Sequence, residues 1–153
     1  MFIGTYENKI DKKGRVSVPA VFRQFLAPQT FAGIVAFPSY RVPAIEACSY
    51  SFMERLKDSI GKEDLFSDAH DALTSSVFAV AQLLPFDVDG RIILPPDFME
   101  KVGITDRAAF VGKGDMFQIW QPEAHKAHLS SAQEQARERG LTIALRPSDG
   151  GGA

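Results

Sequence analysis

Short aliphatic runs closed by proline recur along the chain and set its predicted elements. Arg15-Val16-Ser17-Val18 ends at Pro19, and Arg91-Ile92-Ile93-Leu94 ends at Pro95. Each run predicts a short strand stopped by a residue that cannot donate to a ladder. The same prolines suit helix starts, so short helices are predicted over Pro19 to Leu26 and Pro95 to Val102. Strands are expected around Gly33 to Phe37 and Ala108 to Gly112, then at Arg41 to Cys48 and Met116 to Trp120. Ser51 to Ile60, Ser67 to Leu84 and Pro122 to Arg139 read as helices. Most phenylalanines and Trp120 fall in these strands or helix faces, which makes them core rather than a base-stacking platform. Pro147 to Ala153, with three consecutive glycines, reads as part of a flexible tail covering 144 to 153.

The pattern repeats. Ile10-Asp11-Lys12-Lys13-Gly14-Arg15-Val16-Ser17-Val18-Pro19 matches Phe86-Asp87-Val88-Asp89-Gly90-Arg91-Ile92-Ile93-Leu94-Pro95 without a gap, at a constant offset of 76 that also aligns Phe22 with Phe98. A looser match joins Ala47-Cys48-Ser49-Tyr50 to Ile119-Trp120-Gln121-Pro122 at a slightly different offset. Two related halves follow, about 1 to 76 and 77 to 143. In each, Asp-x-x-Gly signals a tight, hairpin-like turn: Asp bonds its own following backbone, and Gly14 or Gly90 is free to take positive φ. Strands this short are marginal alone, so the halves are expected to pack as a pseudo-two-fold pair with equivalent turns. The expected class is α+β, mainly β.

Charge is distributed unevenly. The net charge of −2 argues against a protein that coats nucleic acid indiscriminately. From Met1 to Phe25, however, Lys9, Lys12, Lys13, Arg15 and Arg23 face only Glu7 and Asp11. Arginine's planar fork holds a phosphate or the O6/N7 edge of guanine through two hydrogen bonds, which singles out Arg15 and Arg91. Lys9, Lys12, Lys13 and Arg23 suit phosphate contacts, which add salt-dependent affinity without reading sequence. Asp11 and Asp87 are then structural, capping the turn or aiming the following Arg. The plainer alternative is a surface Asp–Arg pair over each turn with no functional role. Because Val88-Asp89 replaces Lys12-Lys13, the first loop is expected to hold phosphate more strongly than the second.

These residues resemble the MraZ family of the AbrB-like superfamily of transcription factors. The resemblance rests on Met1-Phe2-x-Gly4-x-Tyr6, on Asp11-x-x-Gly14-Arg15-x-x-x-Pro19 with Arg23, and on Asp87-x-x-Gly90-Arg91-x-x-x-Pro95. It implies a double swapped-hairpin AbrB-like β-barrel with flanking helices. It also implies a ring homo-oligomer, an octamer or dodecamer, bound to direct repeats in promoter DNA ahead of its own division and cell-wall gene cluster, and repression of that cluster in the cytoplasm at the nucleoid. An interaction scaffold or antitoxin-like partner binder of the same fold is the alternative, and a small hydrolase or transferase the distant third.

Other signals point away from catalysis, and neither an enzyme nor a cofactor is expected. Gly112-Lys113-Gly114 evokes a phosphate loop, but Arg107 stands where its first glycine belongs and Gly114 where Ser or Thr is required, so a turn is expected. His125 and His128 sit three apart on a predicted helix without a third ligand at a recognisable spacing, so no metal is expected. His70 reads as a solvated polar residue. The longest apolar stretches, near Phe31 to Pro38 and Val77 to Phe86, are too short to cross a bilayer. Cys48, the sole cysteine, reads as a small buried residue in a reducing compartment.

Overall fold

The computed structural model describes residues 1–61 and 64–148. Its elements run β1 (Thr5–Lys9), β2 (Arg15–Ser17), α1 (Ala20–Leu26), β3 (Gly33–Pro38), β4 (Ile45–Cys48), α2 (Tyr50–Ile60), α3 (Asp68–Val77), β5 (Gln82–Pro85), β6 (Arg91–Ile93), α4 (Pro96–Val102), β7 (Arg107–Gly112), β8 (Phe117–Trp120) and α5 (Pro122–Glu138). Local chemistry explains many of the boundaries. The Ser49 and Ser67 hydroxyls accept from the backbone N–H of Phe52 and His70, capping α2 and α3. Pro96 occupies the first turn of α4, and Gly103 at φ 71° closes it in the left-handed region.

Six strands form an antiparallel sheet in the order β1-β7-β8-β4-β3-β5, and β2 pairs with β6 in a two-stranded ribbon. The α+β expectation holds, with antiparallel sheets, but the described residues are not mainly β, since the five helices hold more of the chain than the eight strands. No closed barrel is found among the described residues, and β1 and β5 are the free edges of the larger sheet.

The Asp-x-x-Gly turns form, but their arms do not pair with each other as a simple hairpin would. β1 leaves the first turn for β7, and β2 for β6. In the second, β5 goes to β3 and β6 to β2. Each half therefore lends its first two strands to the other. Val16 lies opposite Ile92, its counterpart in the repeat, so the ribbon is symmetric about that pair. Glu46 opposite Gln118 plays the same part between β4 and β8.

Two readings from pattern need correction. The helix expected over Ser67 to Leu84 ends at Val77, and Gln82–Pro85 is strand β5. A short apolar run carries no helix-or-strand preference of its own, and here β3 supplies backbone partners while Leu84 is buried against Ile34. The strand expected over Arg41 to Cys48 begins only at Ile45, because the Ser39 hydroxyl folds residues 39–42 into a bend by accepting from the N–H groups of Arg41 and Val42. Within the expected flexible tail, 144–148 is exposed and without regular structure, while 149–153 lies outside the described residues.

The main core draws on both halves. Val16, Val18, Phe22 and Ile34 meet Ile92, Leu94, Phe98, Phe110, Phe117 and Ile119 in one buried cluster. Cys48 is fully buried in a smaller cluster under α2, and burial pushes its thiol up to about 12. It should resist a thiol-specific disulfide reagent in the native protein and react only as the chain unfolds. Labelling faster than unfolding would place it elsewhere.

Candidate nucleic-acid interface

Both turns are built alike, atom for atom. The Asp11 carboxylate accepts the backbone N–H groups of Lys13 and Arg15 through Oδ1, each at 2.9 Å, and Arg15 Nε through Oδ2 at 2.6 Å. Asp87 Oδ1 accepts from Asp89 and Arg91 N–H at 2.9 Å, and its Oδ2 from Arg91 Nε at 2.9 Å. Gly14 and Gly90, at φ 81° and 75°, close the turns by donating to the carbonyls of Asp11 and Asp87. The Gly14 and Gly90 carbonyls then accept from Leu94 and Val18, so each turn is tied to the other repeat.

The carboxylates are committed to the turns. The backbone N–H of Arg15 is the first cause holding the Asp11 carboxyl below its ordinary value, and Arg91 does the same for Asp87. Depressed carboxyls add stability above their unfolded value of 3.8 and lose it as pH falls through their folded values, so the turns loosen only in strong acid. The surface ion pair does more than lie over the turn: it holds each guanidinium by Nε. Among the described residues, both terminal amino groups of Arg15 are left without a protein partner. Arg91 is held twice, because its Nη2 also meets Asp89 Oδ2 at 3.3 Å.

Strand alternation fixes where these side chains go. Val16 and Ile92 are buried on the inner face of the β2–β6 ribbon. Arg15, Ser17, Arg91 and Ile93 therefore share its outer face, since Arg15 pairs with Ile93 and Ser17 with Arg91. Strand spacing and rise put the Arg15 and Arg91 Cα atoms roughly 8 Å apart. Ser17 and Ile93, both exposed, join the surface as residues the motif reading missed. Their signal was the period-two alternation of Arg15-Val16-Ser17-Val18.

The basic residues divide between the loops differently from their order in sequence. Lys12 and Lys13 are exposed at the first turn, and Lys9 is the exposed last residue of β1. Arg23 is separated from them. Its Nε donates to the Val18 carbonyl at 3.0 Å, and its guanidinium lies over Gly90 of the second turn. A Cβ at position 90 would come within 2.5 Å of Arg23 Nη1, so that glycine gives room as well as a positive φ. At the first turn the position equivalent to Arg23 is Met99. The second loop thus gains a cation that its own sequence lacks.

The remaining signals resolve into packing. Gly112-Lys113-Gly114 is the β7–β8 turn, with Lys113 N–H on the Met116 carbonyl, and it pairs with Phe2 through two backbone bonds. His125 and His128 pack on the Trp120 ring at 5.6 and 4.7 Å. His70 gives its N–H to the Ser67 cap. No group of three metal-ligating side chains is found among the described residues, and no helix there is long and apolar enough to cross a membrane.

Burial holds His125 below its ordinary 6.5, helped by the charge of His128. A depressed histidine withholds stability as pH falls below the unfolded value, because the unfolded chain then binds the extra proton. Trp120 is the only tryptophan, so its fluorescence reports this contact. A fluorescence change should titrate with a midpoint below 6.5 and be lost in His125→Gln. A titration unaffected by that substitution would detach it from His125.

Comparison with known proteins agrees with the two-turn architecture. The family model described as "MraZ protein, putative antitoxin-like" matches residues 1–39 and 77–143, the two segments that carry the turns. A "Transcriptional regulator MraZ" of Rickettsia akari (strain Hartford) is 46% identical over 94% of this chain and 96% of its own. Proteins of the same name from Rickettsia bellii (strain OSU 85-389) and Rickettsia canadensis (strain McKiel) are 48% and 44% identical, over 89% and 94% of this chain and 91% and 96% of theirs. They are named as regulators, not as catalysts, in keeping with the non-enzymatic reading. With its two Asp-x-x-Gly-Arg turns inside the matched segments and nearly its whole length aligned to these relatives, this chain belongs to the MraZ family.

Proposed function

We propose that the protein is a sequence-specific DNA-binding transcriptional regulator that reads promoter DNA with the outer face of the β2–β6 ribbon. One observation carries this reading: two arginines, each aimed by its own carboxylate, emerge side by side from a two-stranded ribbon. A ribbon of that width fits the major groove, where arginine forks match guanine. Lys9, Lys12 and Lys13 sit where phosphates flank such a groove, and the exchanged arms hold both turns in one rigid unit, consistent with the swapped-hairpin architecture. The names of the Rickettsia relatives support the regulatory role. On this reading the halves 1–76 and 77–143 act together, and several copies form a ring on direct repeats. The protein represses its own gene cluster, in the cytoplasm at the nucleoid.

Fluorescence anisotropy with the DNA upstream of its own gene and a scrambled duplex, at near-physiological salt, tests it. A preference for the promoter is expected. Equal binding, or binding only at low salt, would overturn operator reading and favour the antitoxin-like partner binder that the family description names.

The loops differ in strength. Lys12 and Lys13 strengthen the first, while Asp89 holds Arg91 and repels phosphate at the second. Asp89→Lys should raise DNA affinity at low salt and steepen its salt dependence by about one unit of log–log slope. An unchanged slope would take the second loop off the phosphate backbone.

A further inference from the structure

We propose that the segment Leu141–Leu145 of one copy adds as a strand to the free edge of β1 in a second copy. This rests on the self-assembly reading above and assigns the surfaces that perform it. Gly112 N–H donates to Gly4 and Ile10 N–H to the Asp106 carbonyl, so the even-numbered residues of β1 bond β7. The backbone groups of Thr5, Glu7 and Lys9 therefore point outward, with no partner strand among the described residues. Such an edge is a template for another chain unless blunted. The opposite edge is blunted: on β5 only Leu83 and Pro85 face outward, and proline has no N–H.

The internal repeat supplies a control for the side chains around this edge. Val21 and Phe25 of α1 are 40% and 51% exposed, and Tyr6 is 40% exposed. Tyr6 packs on Phe22, and Phe25 on Phe2, so these residues rim one aromatic cluster. Their counterparts in the second half are Asp97, Lys101 and Gln82. Symmetric positions in the same fold are thus apolar only beside the open edge, and a contiguous apolar rim marks an interaction surface.

The occupant is argued from the other end of the chain. α5 packs on Trp120 near its start, but every residue from Leu129 to Glu138 is exposed, so the helix leaves its own body. Gly140 at φ 57° then turns the chain into Leu141-Thr142-Ile143-Ala144-Leu145-Arg146. That segment alternates with the period of a half-buried strand, yet Leu141, Ile143 and Leu145 are 57%, 94% and 93% exposed. Laid on β1, its three apolar residues face Tyr6 and α1, and Thr142, Ala144 and Arg146 share the polar face of Thr5, Glu7 and Lys9, where Glu7 already pairs with Arg107 at 3.4 Å. Donor and acceptor are different surfaces, so the contact is head-to-tail and propagates around a ring.

Sedimentation velocity and hydrogen exchange on the full chain test this. Both substituted residues are substantially exposed, so the variants should fold. Wild type should sediment as an assembly in which the amides of Thr5, Glu7 and Lys9 are protected. Ile143→Asp and Phe25→Asp should each sediment at the 16.8 kDa monomer with those amides exchanging freely. Mixed one to one, the two variants should form only a dimer, since one keeps the edge and the other the strand. An Ile143→Asp protein that assembles like wild type overturns the proposal while leaving ring assembly intact. A monomeric wild type overturns both, and Arg15-dependent promoter binding is scored independently of either.

Discussion

Phe22→Ala is expected to destabilise the folded chain by about 3–5 kcal/mol, a large share of the roughly 5–15 kcal/mol that holds a domain together. Phe22 is fully buried, with the rings of Phe2, Tyr6 and Phe117 at 5.3, 5.6 and 5.1 Å. Phe117 belongs to β8 in the other half, so truncation opens a cavity at the joint between repeats. Urea unfolding should show a lower midpoint with an unchanged slope. Phe25, one turn along the same helix but half exposed, serves as the comparison, and Phe25→Ala should cost under about 1 kcal/mol. Equal costs for the two would mean that the aromatic cluster does not hold the halves together.

Arg15→Ala should weaken binding to the preferred promoter duplex by about 1–3 kcal/mol, roughly 5- to 150-fold, and erase discrimination at the base it reads. Arg91→Ala should cost less, because Asp89 already occupies one of its amino groups. Lys12→Ala should weaken promoter and scrambled duplexes alike, lowering the salt slope by about one. Asp11→Asn separates aiming from charge. The amide oxygen still accepts the N–H groups of Lys13 and Arg15, but an amide nitrogen now faces Arg15 Nε, so the turn survives and the guanidinium is released. Promoter affinity should fall even though a negative charge has been removed from the loop. A rise would show that Asp11 acts only as an unfavourable charge, and an unaffected Arg15→Ala would remove the ribbon from the interface. Anisotropy titrations at fixed salt distinguish these results.

The turns and the short strands that follow them were legible because their signals are local. Asp, Gly and Pro at fixed spacing state the turn, and repetition at one offset states that there are two. What pattern could not supply was the destination of each arm. β1 and β2 look like one hairpin in sequence, yet pair with strands about a hundred and about eighty residues away. The same ambiguity turned residues 82–84 from expected helix into strand, because β3 rather than their own sequence decides it. Arg23 was read with the lysines it follows in sequence, whereas α1 carries it to the second turn. Nothing in its own neighbourhood signals that, although the glycine at position 90 is the one residue type that leaves it room.

The exchanged arms bear on how such a chain can change over generations. A homodimer of identical half-length chains would carry every alteration twice, once in each turn. One continuous chain with the same interleaving lifts that restriction, since each turn is encoded separately while the strands still enforce a shared framework. Lys12-Lys13 opposite Val88-Asp89, Arg23 opposite Met99 and Val21 opposite Asp97 are differences that a symmetric dimer could not hold. Covalent linkage thus lets the two halves diverge in charge and surface, without either losing the partner it needs to fold.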